Sequence, residues 1–350
     1  MIYDYLIIGQ GVAGTVLAHN LIAQGKSVQI IDNHHATSST KAAAGIINPI
    51  TGRRFVKSWM IDQLLPVALE NYKALEDLLD IKIIYQANII RVIFNEESQR
   101  HWDRVQLDES AKKYIVNKPD ISTYKQILKP IFGFGELKHS YRIDMSKLIE
   151  SFQQYANTEK IITLENFDFS SLTFDESLVT YKGLKANRIV FCEGYKAIEN
   201  PLFKDLPFQP AKGQAIKFKL ENFSTNKMLR HRQFMVPFGD DTYWSGGGYQ
   251  WDDLNENISK EFLKKWTEDM SDIITQKPKV VSHKAAVRPA VKGRRPFLGN
   301  HPRHKNAYIF NGMGTKGASL VPYWAKHLVS HMEKCEPIAE QVDIQRFSKK

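Results

Sequence analysis

Tyr3-Asp4-Tyr5-Leu6-Ile7-Ile8-Gly9-Gln10-Gly11-Val12-Ala13-Gly14 carries an apolar strand straight into three spaced glycines, and an amphipathic pattern follows that ends near Gly25. Strand, glycine turn and helix in that order predict a dinucleotide pocket. Gly9 permits the tight turn, Gly11 lets the backbone approach a pyrophosphate, and Gly14 lets the helix lie close on the strand. The helix N-terminus, through Val12 and Ala13, offers free N–H groups and the positive end of its dipole to the phosphates. A second strand, Ser27-Val28-Gln29-Ile30-Ile31, leads to Asp32, placed where a carboxylate accepts hydrogen bonds from an adenosine ribose hydroxyl. Glycines alone would say little; the complete βαβ context makes the reading specific.

A chain of 350 residues can bury two substantial cores. No apolar run is long enough to cross a bilayer, and Met1-Ile2-Tyr3-Asp4 lacks the basic start of a secretory signal, so a cytoplasmic location is expected. The net charge of +10 leaves open a peripheral membrane contact or a polyanionic partner such as RNA. Basic residues gather between Lys212 and Arg232 and between Lys277 and Lys305, yet no RNA-binding module accompanies them. A solvated surface with a few cations beside a substrate is the expectation. Cys192 and Cys335 lack CxxC or Cys/His spacing, and the eleven histidines show neither metal spacing nor triad order, so neither a disulfide framework nor a metal site is expected.

Leu64, Leu65, Ala68, Leu69, Tyr72, Leu75, Leu78 and Leu79 recur at helical spacing and predict a helix over about 61–80. Ile83-Ile84-Tyr85 and Ile89 to Phe94 are β-rich, followed by a polar helix and a turn at Gly133 and Gly135. A helix from Met145 to Tyr155, strands at 160–164 and 178–182, and a buried strand from Asn187 to Cys192 ending at Gly194 come next. After Pro210 short alternating strands at 215–220, 233–236 and 242–245 suggest an antiparallel sheet, so a second lobe is built from two separated segments. The chain closes with a strand at 307–311, glycines Gly312, Gly314 and Gly317, a helix from about Ala318 to Met332, and the tail Ser348-Lys349-Lys350, expected to fray.

Beyond Asp32 lies the small-residue run Ser38-Ser39-Thr40-Lys41-Ala42-Ala43-Ala44-Gly45-Ile46-Ile47-Asn48-Pro49. Together with Pro210-Ala211-Lys212-Gly213-Gln214, the block Arg288-Pro289 to Pro296-Phe297-Leu298-Gly299, and the glycine turn from Asn311 to Gly317, it resembles the FAD-dependent D-amino-acid oxidase superfamily, and within it the glycine oxidases. The resemblance covers essentially the whole chain in order. It implies an α/β fold: a Rossmann-like FAD-binding domain of the glutathione-reductase type, mostly parallel, from residues 1–80, 141–205 and 285–350. An α+β substrate domain on an antiparallel sheet would be inserted from 81–140 and 206–284. It further implies that Gly9, Gly11, Val12, Ala13, Gly14 and Asp32 hold the ADP half of FAD, and that Thr40, Ala43, Ala44, Gly45 and Ile47 line the pyrophosphate and flavin. Phe167, in the strand-like Leu164-Glu165-Asn166-Phe167, falls at a backbone contact to adenine, and Gly194 closes the strand returning to the nucleotide. Gly312, Met313, Gly314, Thr315 and Lys316 would approach the flavin pyrimidine ring, where N–H groups stabilise negative charge on the reduced cofactor.

Arg288 matches the arginine that clamps the substrate carboxylate in that family, a planar guanidinium suited to bidentate binding. Arg294 and Arg295 read as solvated. The implied chemistry is oxidation of the C–N bond of a small carboxylated amine by hydride transfer to flavin N5, giving an imine, with oxygen or another electron acceptor completing the cycle. Departures from the family pattern are specific. Phe234 stands where glycine oxidases carry a tyrosine, so it can wall the pocket but not hydrogen-bond. No lysine occurs in Ser245-Gly246-Gly247-Gly248-Tyr249, where sarcosine oxidases activate oxygen. Ala42 replaces the histidine of covalent flavoproteins, so FAD is expected to be noncovalent. Tyr249, Trp251, His231 and Arg53 read as packing or surface residues near the substrate lobe. Two rivals remain: an activity like the oxidase module of the tRNA wobble-uridine modification enzyme, and a non-catalytic flavoprotein subunit.

Overall fold

The computed structural model of the chain describes residues 1–175 and 177–347, so the tail Ser348-Lys349-Lys350 lies outside it. Its first sheet is centred on Ile2–Ile8, flanked in parallel by Val28–Asp32 on one side and Leu184–Phe191 on the other. Ile162–Leu164 and Ala307–Asn311 extend the parallel set outward. Tyr5, Leu6, Ile7 and Ile8 are all buried, as the unbroken apolar run requires of a strand covered on both faces. Val179–Tyr181 and Leu172–Phe174 add an antiparallel hairpin, and Phe297–Asn300 pairs antiparallel with Ala307–Asn311.

Helices Val12–Ile22, Gly317–Lys334 and Ile61–Leu79 pack side by side over this sheet, the second between the other two. The Tyr72 hydroxyl, fully buried, donates to Ala318 O at 3.0 Å and ties Ile61–Leu79 to the middle helix. Gly14 is what lets the first helix settle: a Cβ there would stand 1.9 Å from Gly9 O, well inside contact distance.

The second sheet runs, in spatial order, Lys279–Arg288, Ala211–Lys219, Thr242–Gln250, Phe234–Pro237, Met228–Arg230, Ile89–Ile93 and Gly133–Leu137. All neighbours are antiparallel except Met228–Arg230 beside Ile89–Ile93. Strand register assigns the faces. Ile90, Val92, Ile216, Phe218, Leu229, Met235 and Tyr243 point to one side and enclose Trp266 of helix Lys260–Ser271 in a core of their own. On the other side Ile89, Ile93, Met228 and Val236 join the core of the first sheet. That inward face also carries Arg91, Arg230, Phe234, Trp244, Gly213 and Arg288, and it is here that the two sheets confront each other.

Several sequence expectations need correction. Gly133 and Gly135 lie in a strand rather than a turn, because the Trp102 indole covers Gly135, where a Cβ would meet the ring at 2.0 Å. Phe167 lies beyond the strand Ile162–Leu164, its ring stacked on Tyr181 at 4.5 Å within an aromatic cluster on the outer face of the first sheet. Strand Lys279–Arg288 carries the second sheet past residue 284, where the sequence reading ends that lobe.

The central strand Leu184–Phe191 runs through Cys192 to Glu193, whose Cα lies 3.4 Å from where a Gly9 Cβ would stand. Burial there pushes the Glu193 carboxyl up to about 7, against the hydrogen bond it accepts from Asn200 Nδ2 at 2.7 Å. A carboxyl raised in the folded state binds its proton more tightly there than in the unfolded chain, so stability declines as pH climbs from about 4.5 toward 7. Glu193→Gln is expected to flatten that slope in urea titrations at pH 5 and 8; a slope equal to the parent's would rule the assignment out. Gly14→Ala is expected to cost ~1–3 kcal/mol by overpacking, and an unchanged unfolding midpoint would show that the helix is not held against the turn.

Candidate active site

Helix Val12–Ile22 opens at Gly11 with no acid in its first turn and no cap from its own N-cap side chain. The hydroxyl that reaches it comes from afar: Thr40 Oγ1 accepts from Val12 N at 3.2 Å, which brings the small-residue run to the helix end. Helix Gly317–Lys334 likewise starts without an acid in its first turn, and a Cβ on Gly317 would lie 3.5 Å from Val12 Cγ1. Two positively polarised helix ends therefore converge beside one residue. Burial and the charges of Arg295 and Arg294 push the Lys316 ammonium down from its usual range, so the same corner is also cationic. Arg295 is not simply solvated, since its guanidinium lies 4.0 Å over the Trp59 ring; Arg294 is exposed.

Asp32 ends the second strand as expected. Its Oδ2 accepts from Gln10 N and its Oδ1 from His34 N, each at 2.7 Å, so the carboxylate holds the glycine turn while each oxygen keeps further acceptor capacity. Gly194 O accepts from Asn311 Nδ2 at 2.8 Å, joining the end of the central strand to the terminal glycine bend. Ala44 and Ile47 are buried in the main core, and Gly45 O accepts from Ile143 N at 2.9 Å. Ala42 and Ala43 line a narrow cleft, with Ala215, Lys217 and Trp244 of the second sheet opposite. The polar groups of this corner, two helix N-termini with Thr40 and Lys316 as positive or donating groups and the Asp32 carboxylate as acceptor, suit a diphosphate joined to a ribose and a flavin.

Contacts close a circuit around the space between the sheets. The Trp244 indole Nε1 donates to Ala42 O at 3.0 Å, and Thr40 meets Val12, which meets Gly317. Gly314 N donates to Pro289 O at 3.1 Å, binding the terminal bend directly to the residue after Arg288. Met313 is buried and Thr315 exposed on that bend. Arg288 and the two bends are thus parts of one construction.

Arg288 lies across its own sheet. A Cβ on Gly213 would stand 1.9 Å from Arg288 Nη2, so the bare glycine backbone is the bed on which the guanidinium rests. Nη1 donates to Gly248 O at 2.8 Å and Nη2 to Gly247 O at 3.3 Å. The Cζ atom sits 4.8 Å over the Tyr249 ring. Ion pairs elsewhere engage Arg100, Arg142, Arg188 and Arg232, but among the described residues Arg288 has no carboxylate within 4.0 Å. Burial pushes its guanidinium down from the usual range and the Tyr249 phenol opposes that shift. A charged fork held by carbonyls and an aromatic face, with no internal counter-ion, is ready to take a planar anion.

Tyr249 reads from sequence as packing or surface beside the substrate lobe, and Arg230 carries no signal of its own there. Between Ala211–Lys219 and Thr242–Gln250 the register slips, Gln214 facing Gly247 but Lys212 facing Gln250, so one extra residue bulges out of the latter strand. The bulge turns Tyr249 onto the Arg288 face, which simple alternation would not do. The triple glycine was the visible signal. Phe234, expected as a pocket wall, is half-buried with the Arg230 guanidinium 4.9 Å over its ring.

The chain matches the family described as FAD dependent oxidoreductase over residues 4–331. It is 24% identical over 359 residues to the uncharacterized oxidoreductase YurR of Bacillus subtilis (strain 168), covering 93% of each chain. It is 22% identical over 348 residues to glycine oxidase of Bacillus licheniformis, covering 91% of this chain and 90% of the relative. The solved structure of glycine oxidase from Bacillus cereus ATCC 14579 superposes with a TM-score of 0.81 at 19% identity, covering 96% of both chains. With its glycine turn, paired helix ends and mixed two-sheet architecture, this chain belongs to the FAD-dependent oxidoreductase family and is an enzyme that uses FAD.

Proposed function

We propose that the enzyme oxidises the C–N bond of a small amine bearing a carboxylate, an amino acid or an N-substituted glycine. The observation that carries this reading is the Arg288 guanidinium, held on Gly213 and the Gly247 and Gly248 carbonyls with no carboxylate of its own. Resemblance to glycine oxidases in sequence and fold supports the same class of substrate.

In this reading Gly9, Gly11, Val12, Ala13 and Gly14 would receive the pyrophosphate at the helix end with Thr40 beside it, Asp32 would bind the adenosine ribose, and Gly312 to Lys316 would approach the flavin pyrimidine. Bound FAD would supply the two-electron acceptor that the C–N oxidation requires. Arg288 binds the substrate carboxylate through its planar fork and so fixes where the Cα–H bond points. Tyr249 lies beside that fork and can donate its hydroxyl to the same carboxylate, supplying the hydrogen bond that Phe234 cannot. Phe234 and Trp244 contribute apolar walls that exclude water. The Lys316 ammonium and the N-terminus of helix Gly317–Lys334 would supply positive charge to offset the negative charge of the reduced flavin. The imine product leaves for hydrolysis in water.

Anaerobic mixing with a panel of amino acids and N-methylated amines is expected to bleach the flavin absorption, and failure of every carboxylated amine to do so would defeat the proposal. Arg288→Ala is expected to raise KM on the order of a hundredfold with FAD retained, reflecting ~3 kcal/mol of charge-assisted hydrogen bonding; parent-like kinetics would remove Arg288 from the site. Acid precipitation is expected to release intact FAD, since Ala42 offers no nucleophile to the flavin; flavin that stays with the protein pellet would show a covalent bond.

A further inference from the structure

Arg288 is one of several unpaired guanidiniums on the inward face of the second sheet. Arg230 and Arg91 are register partners on adjacent parallel strands and therefore project from the same side, their backbones ~4.8 Å apart. Arg91 is only 7% exposed; it donates to Ile50 O at 3.3 Å and Gly52 O at 3.0 Å, and its Cζ lies 4.8 Å over Phe55. Its Nε is buried without any hydrogen-bond partner. Arg230 donates to Arg232 O and lies over Phe234. Arg53, exposed, adds its charge beside Arg230. Among the described residues none of these has a carboxylate within 4.0 Å.

Two like charges set side by side, one of them buried with a donor unused, disfavour each other and are retained at a cost unless an anion arrives. The strain shows in both groups. Burial and then the neighbouring Arg230 charge push Arg91 down to about 9, while burial pushes Arg230 down to about 10, with Arg53 adding to the shift and Tyr249 opposing it. Tyr249 acts in the same sense on Arg288, against which its ring lies, so one phenol bears on both cations.

We infer that Arg230, backed by Arg91, forms a second anion subsite on the same sheet face as Arg288, and that the substrate is an amine carrying two acidic groups, one for each subsite. This inference rests on the amine-oxidation reading and specifies its substrate. Strands Lys279–Arg288 and Met228–Arg230 stand four spacings apart, about 19 Å between backbones. Arg288 closes part of that gap by reaching the carbonyls of Thr242–Gln250, midway between them. The two acids are accordingly separated by a chain of several atoms, as in an amino acid with a distal carboxylate or an amine substituted by a carboxyalkyl arm. An RNA backbone fits less well, because Arg91 and its neighbours face the space between the sheets, whereas phosphates are tracked by exposed cations.

The test uses the FAD-loaded enzyme and straight-chain carboxylates, with binding read by calorimetry and by perturbation of the flavin absorption. α,ω-Dicarboxylates from glutarate to suberate are compared with monocarboxylates of equal length. At one length or a narrow range, the dicarboxylate is expected to bind at least tenfold more tightly. Arg230→Met is expected to abolish that preference and Arg230→Lys to retain part of it, while Arg288→Met weakens both series. Equal affinities for mono- and dicarboxylates at every length, a measurement that needs no variant, would overturn the inference. So would a preference that survives Arg230→Met, or transfer RNA binding lost in Arg230→Met without any dicarboxylate preference. Failure of the amine-oxidation reading looks different: the dicarboxylate preference persists, yet no carboxylated amine bleaches the flavin.

Discussion

Val12 is where three distant parts of the chain meet. Its N–H reaches the Thr40 hydroxyl, its side chain lies against the start of helix Gly317–Lys334, and its own helix is pressed onto the first strand through Gly14. Of the residues involved, Gly14 is the one that tolerates no side chain, since a Cβ there would stand 1.9 Å from Gly9 O. A larger side chain at Gly14 would drive its helix off the first strand, and with it the positive helix end that the proposed reading gives to a diphosphate. In the proposed reading the nucleotide half of the site is a property of packing before it is a property of any functional side chain.

The second sheet solves a different problem. Its outward face is a conventional apolar core under Trp266, which leaves the inward face free to carry polarity. Charges there are costly in proportion to their burial. The chain answers by laying Arg288 on a glycine and backbone carbonyls, and Arg91 and Arg230 on aromatic rings and carbonyls, all neutral partners. Neutral partners hold a guanidinium in place without cancelling its field, which a structural carboxylate would do. The contrast with Arg142, only 5% exposed yet paired to Asp144 at 3.1 Å, shows that the same chain neutralises an arginine where position alone is wanted.

The first sheet was legible because its signals are local. The run from Tyr3 to Gly14, the acid at position 32 and the strand at 307–311 each declare themselves within a few residues, and helix Ile61–Leu79 follows its apolar spacing almost to the residue. Helix Lys260–Ser271 and strand Lys279–Arg288 went unassigned. The helix shows few apolar positions among its charges, and the strand exposes Val280 and Val281 while burying Ala285, Ala286 and Val287, which masks the alternation. Gly133 and Gly135 read as a turn because their strand is made passable by the tryptophan that covers it, a partner thirty-odd residues away in sequence. Arg288 was found through a family likeness, whereas Arg230, Arg91 and Tyr249 acquire meaning only from register between strands, which no single stretch of sequence contains.

Register also explains why the site is asymmetric. Without the bulge between Gly247 and Gln250, Tyr249 would turn to the outer face and Arg288 would lose the ring beneath it. Gly248, in the left-handed region at φ +75°, supplies the backbone conformation the bulge demands and presents its carbonyl to Arg288. Three consecutive glycines in a strand weaken it, and the residues beyond them pay in exposure, Tyr249 at 53% and Trp251 at 61%, stacked on each other 5.8 Å apart at the strand's end. That end of the sheet therefore presents the Arg288 guanidinium beside exposed aromatic rings, and in the proposed reading an anion bound there adds contacts the folded chain by itself lacks.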